Sequence, residues 1–258
     1  MRWTLISAVN SEEILNANLL RSPDVPKADR VLLQRGFSTA GGAINQALES
    51  CSTAIAVIAH QDVYFPAGWI TCLGNYVNQL AAGDCNWGVL GVVGIDRSGN
   101  SCGHVYSSGL RRIVGQPGSE PRQVVSVDEM VIVLRAAAGL RFDTALPGFH
   151  MYGTDICLEA RRRGMSSFVV PNFCIHNSNG LPYLPWSFWQ AYRYMQHKWR
   201  NELPIKTPCV TLSRGLGCIL RVGCGTKLRA ILSKPKVGAR VADPVALYES
   251  LSLRSEIA

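Results

Sequence analysis

Residues 55–65 read IAVIAHQDVYF: five apolar residues without a break, then His60-Gln61-Asp62, then an apolar run again. A strand with one face in water alternates polar and apolar residues, so a continuous apolar run indicates a strand covered on both faces. Such strands belong to sheets sandwiched between helices, and the rest of the chain repeats the signal. Apolar runs at 3–9, 87–93, 124–134 and 168–170 alternate with segments of helical period that begin at Ser11 and near Gly68. The chain therefore reads as α/β.

With 258 residues, 47% of them hydrophobic, the chain can bury a large core, which excludes a disordered protein. The N-terminal apolar run spans about seven residues before Asn10-Ser11-Glu12-Glu13 ends it, and no small-residue cleavage site follows, so it is read as a first strand rather than a signal. No stretch approaches the roughly 18 apolar residues of a membrane span. Nine scattered cysteines without a CxxC pair argue against a zinc ribbon and against a disulfide framework, and predict reduced thiols in a cytoplasmic protein.

The formal net charge is +8, which favours anionic partners. Nine Lys/Arg against four acids after residue 200 place five of those charges in the last fifth of the chain, so 1–203 is read as the domain and 204–258 as a basic extension. Within the extension, LSRGLGCILRVGCGTKLRAIL mixes apolar and basic residues, as a segment lying peripherally on an anionic membrane would. Its glycines weaken a continuous helix, and a solvated, partly ordered tail is the alternative. Specific nucleic-acid binding is not expected. Phe188, Trp189, Tyr192, Met195 and Trp199 fall at helical spacing and predict a core-facing stripe.

In open α/β sheets, ligands bind beyond the carboxyl ends of the strands. His60 and Asp62 stand there, and residues two apart in an extended chain point the same way. A carboxylate so placed suits a hard divalent cation that in turn holds phosphate oxygens; a turn or cap aspartate is the competing reading. Ser38-Thr39-Ala40-Gly41-Gly42 leads into a helix, but without GxGxxG spacing or a Walker lysine it reads as an ordinary cap. In FHMYGTDICLEARRRG, 149–164, a helix starts near Asp155 and stops at Gly164. Asp155 is then either a first-turn acid stabilised by the helix dipole or a general base beside an acceptor pocket that His150 and Tyr152 would line. His176 follows a short strand as a second candidate metal ligand. Asp128 and Glu129 interrupt an apolar run, where acids need a partner or a task.

In this order, AHQDVYF, VDEMVIVLR, FHMYGTDICLEARRRG and IHNS resemble the motif blocks of the GT-A glycosyltransferases of family 2, in the branch of the streptomycin-biosynthesis-type enzymes. The similarity spans about residues 3–200 and is specific in those four blocks. It implies a GT-A fold with a single Rossmann-like mixed sheet flanked by helices. It also implies inverting transfer of a sugar from a nucleotide-diphosphate sugar to a saccharide or other hydroxyl acceptor. By the same resemblance Asp62 and His176 bind Mn²⁺ or Mg²⁺, Ala8, Val9, Asn10, Asn45, His60, Gln61 and Asp62 hold the donor, and Asp155 is the base. Asp128, Glu129, His150, Tyr152 and Thr154 would face donor sugar or acceptor. The chain departs from the family where His60 replaces the first acid of DxD and Thr154 the glutamate before the base. Residues 22–37 show no clear second strand ending in a base-reading aspartate, which leaves Asp24 and Asp29 as candidates. A metal-dependent nucleotidyltransferase or phosphoesterase would show a richer carboxylate cluster or a phosphate loop; a non-catalytic basic module is favoured by charge alone.

Overall fold

The computed structural model describes residues 1–83, 85–233 and 237–255. In chain order it runs β1 (Trp3–Val9), α1 (Glu12–Ala17), β2 (Arg30–Arg35), α2 (Ala40–Glu49), β3 (Ile55–Ala59), β4 (Val63–Tyr64) and α3 (Trp69–Ala82). There follow β5 (Trp87–Gly91), β6 (Val93–Ile95), β7 (Ser101–Ser107), β8 (Arg112–Gly115), β9 (Arg122–Val124), β10 (Ser126–Val127) and β11 (Val131–Arg135). Next come α4 (Tyr152–Arg162), β12 (Ser166–Val169), β13 (Cys174–His176) and α5 (Trp186–Lys198). A hairpin of β14 (Ile205–Lys206) and β15 (Thr211–Leu212) precedes a π-helical turn (Ile219–Cys224), α6 (Gly225–Ser233) and α7 (Pro244–Ser255).

The main sheet has seven strands in the order β2-β1-β3-β11-β5-β12-β9. β1 pairs parallel with β2 and β3, whereas β11 pairs antiparallel with β3 and β5, so the sheet is mixed. Parallel pairing puts the carboxyl ends of β1, β2 and β3 along one edge, where a ligand can approach all three. The continuous apolar run of β3 has the predicted cause. Ala56 and Ile58 join a core packed by α2, α4 and α5, while Ile55, Val57 and Ala59 join a second core beneath α1 and α3. Either face of β3 exposed would forfeit roughly 1.5–3 kcal/mol for each large aliphatic side chain.

A second sheet, β10-β6-β7-β13-β4 with β8 beside β7, extends the single sheet the resemblance implies. It explains why 124–134 is not one strand. Asp128 donates its N–H to Val93 O, its Oδ1 accepts from the Met130 N–H at 3.0 Å, and this turn carries the chain from β10 in one sheet to β11 in the other. The acids inside the apolar run thus sit at a sheet crossover. β2, for which the sequence showed no clear strand, forms as the edge of the main sheet, half exposed along its length. Neither candidate aspartate ends it. Asp24 is buried against Lys27 Nζ and the Ile70 N–H, and Asp29 precedes β2, where it binds Arg2 and the Trp3 N–H.

Phe188, Trp189, Tyr192 and Met195 are buried in the core as the stripe predicts. The glycine-bearing tail is helical nonetheless, because tertiary contact overrides propensity. A Cβ on Gly223 would lie 3.0 Å from the Trp189 ring, so this glycine is what lets the π-helical turn approach α5. Lys234 and Lys236, counted in the basic tail, lie outside the described residues. All nine cysteines are free. Among the described residues no helix is long and apolar enough to cross a membrane.

Candidate active site

Strand register brings the two expected metal ligands, Asp62 and His176, together with His60, which was expected to hold the donor. β13 pairs antiparallel with β4 so that His176 faces Val63, and the Asn177 N–H donates to Asp62 O at 2.8 Å. His176 therefore lies beside the segment that carries His60 and Asp62, and one ligand atom from each of the three falls within 4.8 Å of the others. Asp62 Oδ1 is 3.4 Å from His176 Nε2. Burial alone would raise the Asp62 carboxyl, but the His176 hydrogen bond and the surrounding cations hold it well below the usual carboxylate range. Burial likewise pulls His176 down, and its hydrogen bond and charge interaction with Asp62 reverse this to a net rise. Burial dominates at His60 and lowers it, so this imidazole stays neutral at pH 7.

The tautomer of His60 follows from its neighbours. Tyr152 Oη donates to the Glu129 carbonyl at 3.2 Å, so toward His60 Nε2, 2.9 Å away, it acts as acceptor. Nε2 then carries the proton and Nδ1 is left with its lone pair. A tyrosine fixing the outer nitrogen of an imidazole is the arrangement that orients metal-ligating histidines. Two imidazoles and a carboxylate suit a divalent transition-metal cation, the carboxylate being the donor that Mn²⁺ favours and the imidazoles tolerating it. The chain thus fits a divalent cation on donor chemistry as well as on convergence.

A cleft of about 400 Å³ opens next to this cluster, within the range of small-molecule sites. Ala8, Val9, Asn10, His60, Gln61, Asp62 and Tyr152 line it, all of them named from the sequence. Gln61 also ties two strand ends together, its Oε1 accepting from the N–H groups of Asn10 and Ser11 at 3.0 and 3.1 Å. Gln34, Gly36, Phe37 and Phe149 line the cleft too and escaped the sequence reading. The signal for the first three was the short VLL run of β2 followed by a glycine, here at φ 76°, which turns the chain toward α2. The cap reading of 38–42 holds: Thr39 Oγ1 accepts from the Gly42 N–H, and a Cβ on Gly41 would strike Asp143 O at 2.4 Å.

Three expected site residues are turned elsewhere. Asn45 exchanges two hydrogen bonds with the backbone of Phe142, at 2.8 and 2.9 Å, and pins α2 to the loop before α4. Thr154 is buried with its hydroxyl 2.8 Å from Ser126 Oγ. Asp155 was expected to be the acceptor base, yet its side chain is 3% exposed. Trp199 Nε1 donates to its Oδ1 at 2.7 Å and Lys198 Nζ to its Oδ2 at 2.9 Å, while Lys198 also binds Asp143. Burial raises the Asp155 carboxyl against the opposing pull of Lys198. The reason is helical geometry: at the third position after the start of α4, this side chain points back against α5 instead of toward the strand ends.

Glu129 is placed differently. It is half-buried, its Oε1 accepts a long hydrogen bond from the Gly153 N–H at 3.4 Å, and burial together with the neighbouring Asp128 pushes its carboxyl up to about 8. A Cβ on Gly153 would lie 2.6 Å from Val127 O, so glycine is what admits this approach. Half-buried His150 packs edge-on to Phe188 and is lowered by burial.

No protein-family model matches the chain. A Fuscovulum blasticum protein described as ATP synthase subunits region ORF 6 is 26% identical over 182 residues, 67% of this chain and 70% of that one. The crystal structure of GalNAc-T7 with UDP, GalNAc and Mn²⁺ aligns over 78% of this chain and 49% of its own, with TM-score 0.52 and 10% identity. S. aureus TarS aligns over 78% and 40%, with TM-score 0.50 and 12% identity. The chain has the GT-A fold. It spans about half or less of the length of these two GT-A structures.

Proposed function

We propose that the chain is an inverting, divalent-metal-dependent glycosyltransferase that moves a sugar from a nucleotide-diphosphate donor to a hydroxyl of a saccharide or other acceptor. One observation carries this reading: His60, Asp62 and His176 converge at the carboxyl end of β3 beside a cleft lined by the ends of β1 and β2. The GalNAc-T7 structure, of the same fold, holds UDP, GalNAc and Mn²⁺. His60, Asp62 and His176 would hold Mn²⁺ or Mg²⁺, which when bound neutralises charge on the departing diphosphate. Ala8, Val9, Asn10 and Gln34 border the cleft where the nucleotide would lie, with the rings of Phe37 and Phe149 available to its base.

The base assignment moves from Asp155 to Glu129. A general base must reach the proton it removes, and Glu129 is the carboxyl beside Tyr152 and Gly153 that keeps acceptor capacity. Attack from the face opposite the leaving diphosphate inverts the anomeric carbon. Asp128 and His150 flank this acceptor side. The basic extension, with α6 outermost, would rest on an anionic membrane surface.

A panel of UDP, GDP, TDP and CMP read by thermal shift with and without Mn²⁺ tests the proposal, since a ligand of the native state raises the apparent Tm. One nucleoside diphosphate should raise Tm in a Mn²⁺-dependent way; no shift with any of them would refute the reading. Product analysis separates the competing enzyme class, with free nucleoside diphosphate expected and pyrophosphate or monophosphate counting against transfer.

A further inference from the structure

Residues 237–243 form a strap across the candidate metal cluster, tied down by a dense set of specific contacts. The Gly238 N–H donates to Gly109 O at 3.1 Å, and Gly238 O accepts from the Gly180 N–H at 2.9 Å. A Cβ on Gly238 would lie 2.1 Å from Ser108 O, so the docking needs glycine there. Asn177, fully buried, grips Val241 twice: its Oδ1 accepts from the Val241 N–H at 2.8 Å and its Nδ2 donates to Val241 O at 2.9 Å. Asn177 is the residue after His176, so one segment both supplies a candidate metal ligand and anchors the strap.

The strap delivers Arg240. Its N–H donates to Asn179 Oδ1 at 2.9 Å, its Nε donates to Asn177 O at 2.8 Å, and its Nη2 lies 3.4 Å from Asp62 Oδ2. A guanidinium carries five N–H donors, and the remaining ones of Arg240 have no partner among the described residues. A side chain recruited only to close the fold would not need to be aimed at the acid of the metal cluster with donors to spare. The cluster also has only one carboxylate, because His60 stands where the family pattern has an acid. A divalent cation and the guanidinium together would outweigh that charge even with Asp128 near enough to act on both histidines, and leave the site attractive to an anion.

We propose that Arg240 is a donor-positioning residue: together with the cation at His60, Asp62 and His176, it holds the diphosphate of the nucleotide sugar through its free N–H groups. Planar guanidinium donors match phosphate oxygens two at a time, and their charge favours the diphosphate more as negative charge builds on it. The inference rests on the glycosyltransferase reading. It makes the C-terminal strap part of the site, outside the 3–200 span that carries the family resemblance.

Calorimetry on the full chain tests it, with UDP and GDP each compared with UMP and GMP in the presence of Mn²⁺. Arg240→Ala should weaken whichever diphosphate binds the wild type by about tenfold or more, as expected for a lost charged hydrogen bond. It should leave the corresponding monophosphate unchanged, and Arg240→Lys, which keeps the charge and loses the fork, should fall between. Equal loss of monophosphate and diphosphate would assign Arg240 to the packing of the strap and overturn the inference, as would an unchanged diphosphate affinity. Tighter binding by Arg240→Ala would do so as well, showing that the guanidinium blocks Asp62. Wild-type protein that binds neither diphosphate would instead overturn the glycosyltransferase reading beneath it.

Discussion

Asp155 and Glu129 show what a single residue's motif position does and does not reveal. Both are acids in motif blocks that are legible in the sequence, and the family resemblance favours Asp155. What decides between them is direction: α4 turns Asp155 into the contact with Lys198 and Trp199, while the crossover from β10 to β11 sets Glu129 against Gly153 at the start of α4, with its carbonyl on Tyr152, the partner of His60. Side-chain direction relative to a distant helix is not encoded in local pattern, so the sequence could name both acids and rank Asp155 first without showing where either side chain points. Asp155→Ala should therefore act on stability, by about 1–3 kcal/mol in denaturant unfolding, because it leaves the buried Trp199 N–H without an acceptor and takes one of its two carboxylate partners from Lys198. Mn²⁺-dependent nucleotide binding should survive it. Glu129→Gln should leave unfolding and nucleotide binding near wild type and slow transfer by about 10² to 10⁴, read as release of nucleoside diphosphate. The pH profile gives an independent check. Asp128, Tyr152, Cys157 and Cys209 surround Glu129, whose carboxyl sits at about 8. A base works only when deprotonated, so the wild-type rate should climb through about pH 8, and Glu129→Gln should lack that limb. A limb that survives the substitution would transfer the role to another group.

At the scale of elements, the site is the product of two registers. Parallel pairing of β1 and β3 sets Val9 and Asn10 near Gln61, and antiparallel pairing of β4 and β13 sets His176 near Asp62. The buried strand β3 and its polar end were readable because five unbroken apolar residues call for cover on both faces. β2 was not, since an edge strand buries little and carries only a short apolar run. The second sheet was hidden for a related reason: β4, β10 and β13 are two or three residues long, too short for periodicity to register. Two predictions belong to this scale. A metal must displace the proton of His176, whose pKa Asp62 raises above the ordinary histidine value of about 6.5. Mn²⁺ affinity by calorimetry should therefore fall as pH drops through a midpoint above that value, and pH-independent affinity between about pH 6 and 8 would remove His176 from the ligand set. Tyr152→Phe, which strips His60 Nε2 of its partner, should weaken Mn²⁺ by about 10- to 100-fold, the usual cost of losing the group that orients a ligating imidazole.

For the whole molecule, the remaining asymmetry is charge and apolar exposure along the C-terminal tail. Leu216, Leu220, Leu228 and Leu232 recur at multiples of four residues along the tail, each more than half exposed, and Ile231 joins them. Arg221, Lys227 and Arg229 are exposed on the same segment, while its opposite side packs on the core through Gly223 and Ala230. Composition alone had left open whether this tail is solvated or lies on a surface, because its glycines argued against a helix. With the helix formed, the exposed leucines have no place in the core, and exposed apolar residues beside cations are what the proposed contact with an anionic membrane would use. Each cation near an anionic bilayer contributes about 1 kcal/mol, and buried leucine area adds to it. Cosedimentation of the full chain should accordingly show binding to vesicles containing phosphatidylserine, lost in pure phosphatidylcholine and strongly reduced at about 0.5 M salt, where the Debye length shrinks to a few ångströms. Substituting Leu228, Ile231 and Leu232 together by serine should abolish sedimentation and leave Mn²⁺-dependent nucleotide binding intact, since none of the three lines the cleft. If the triple variant still sediments with anionic vesicles, basic charge alone drives the contact and the apolar face of α6 serves another partner.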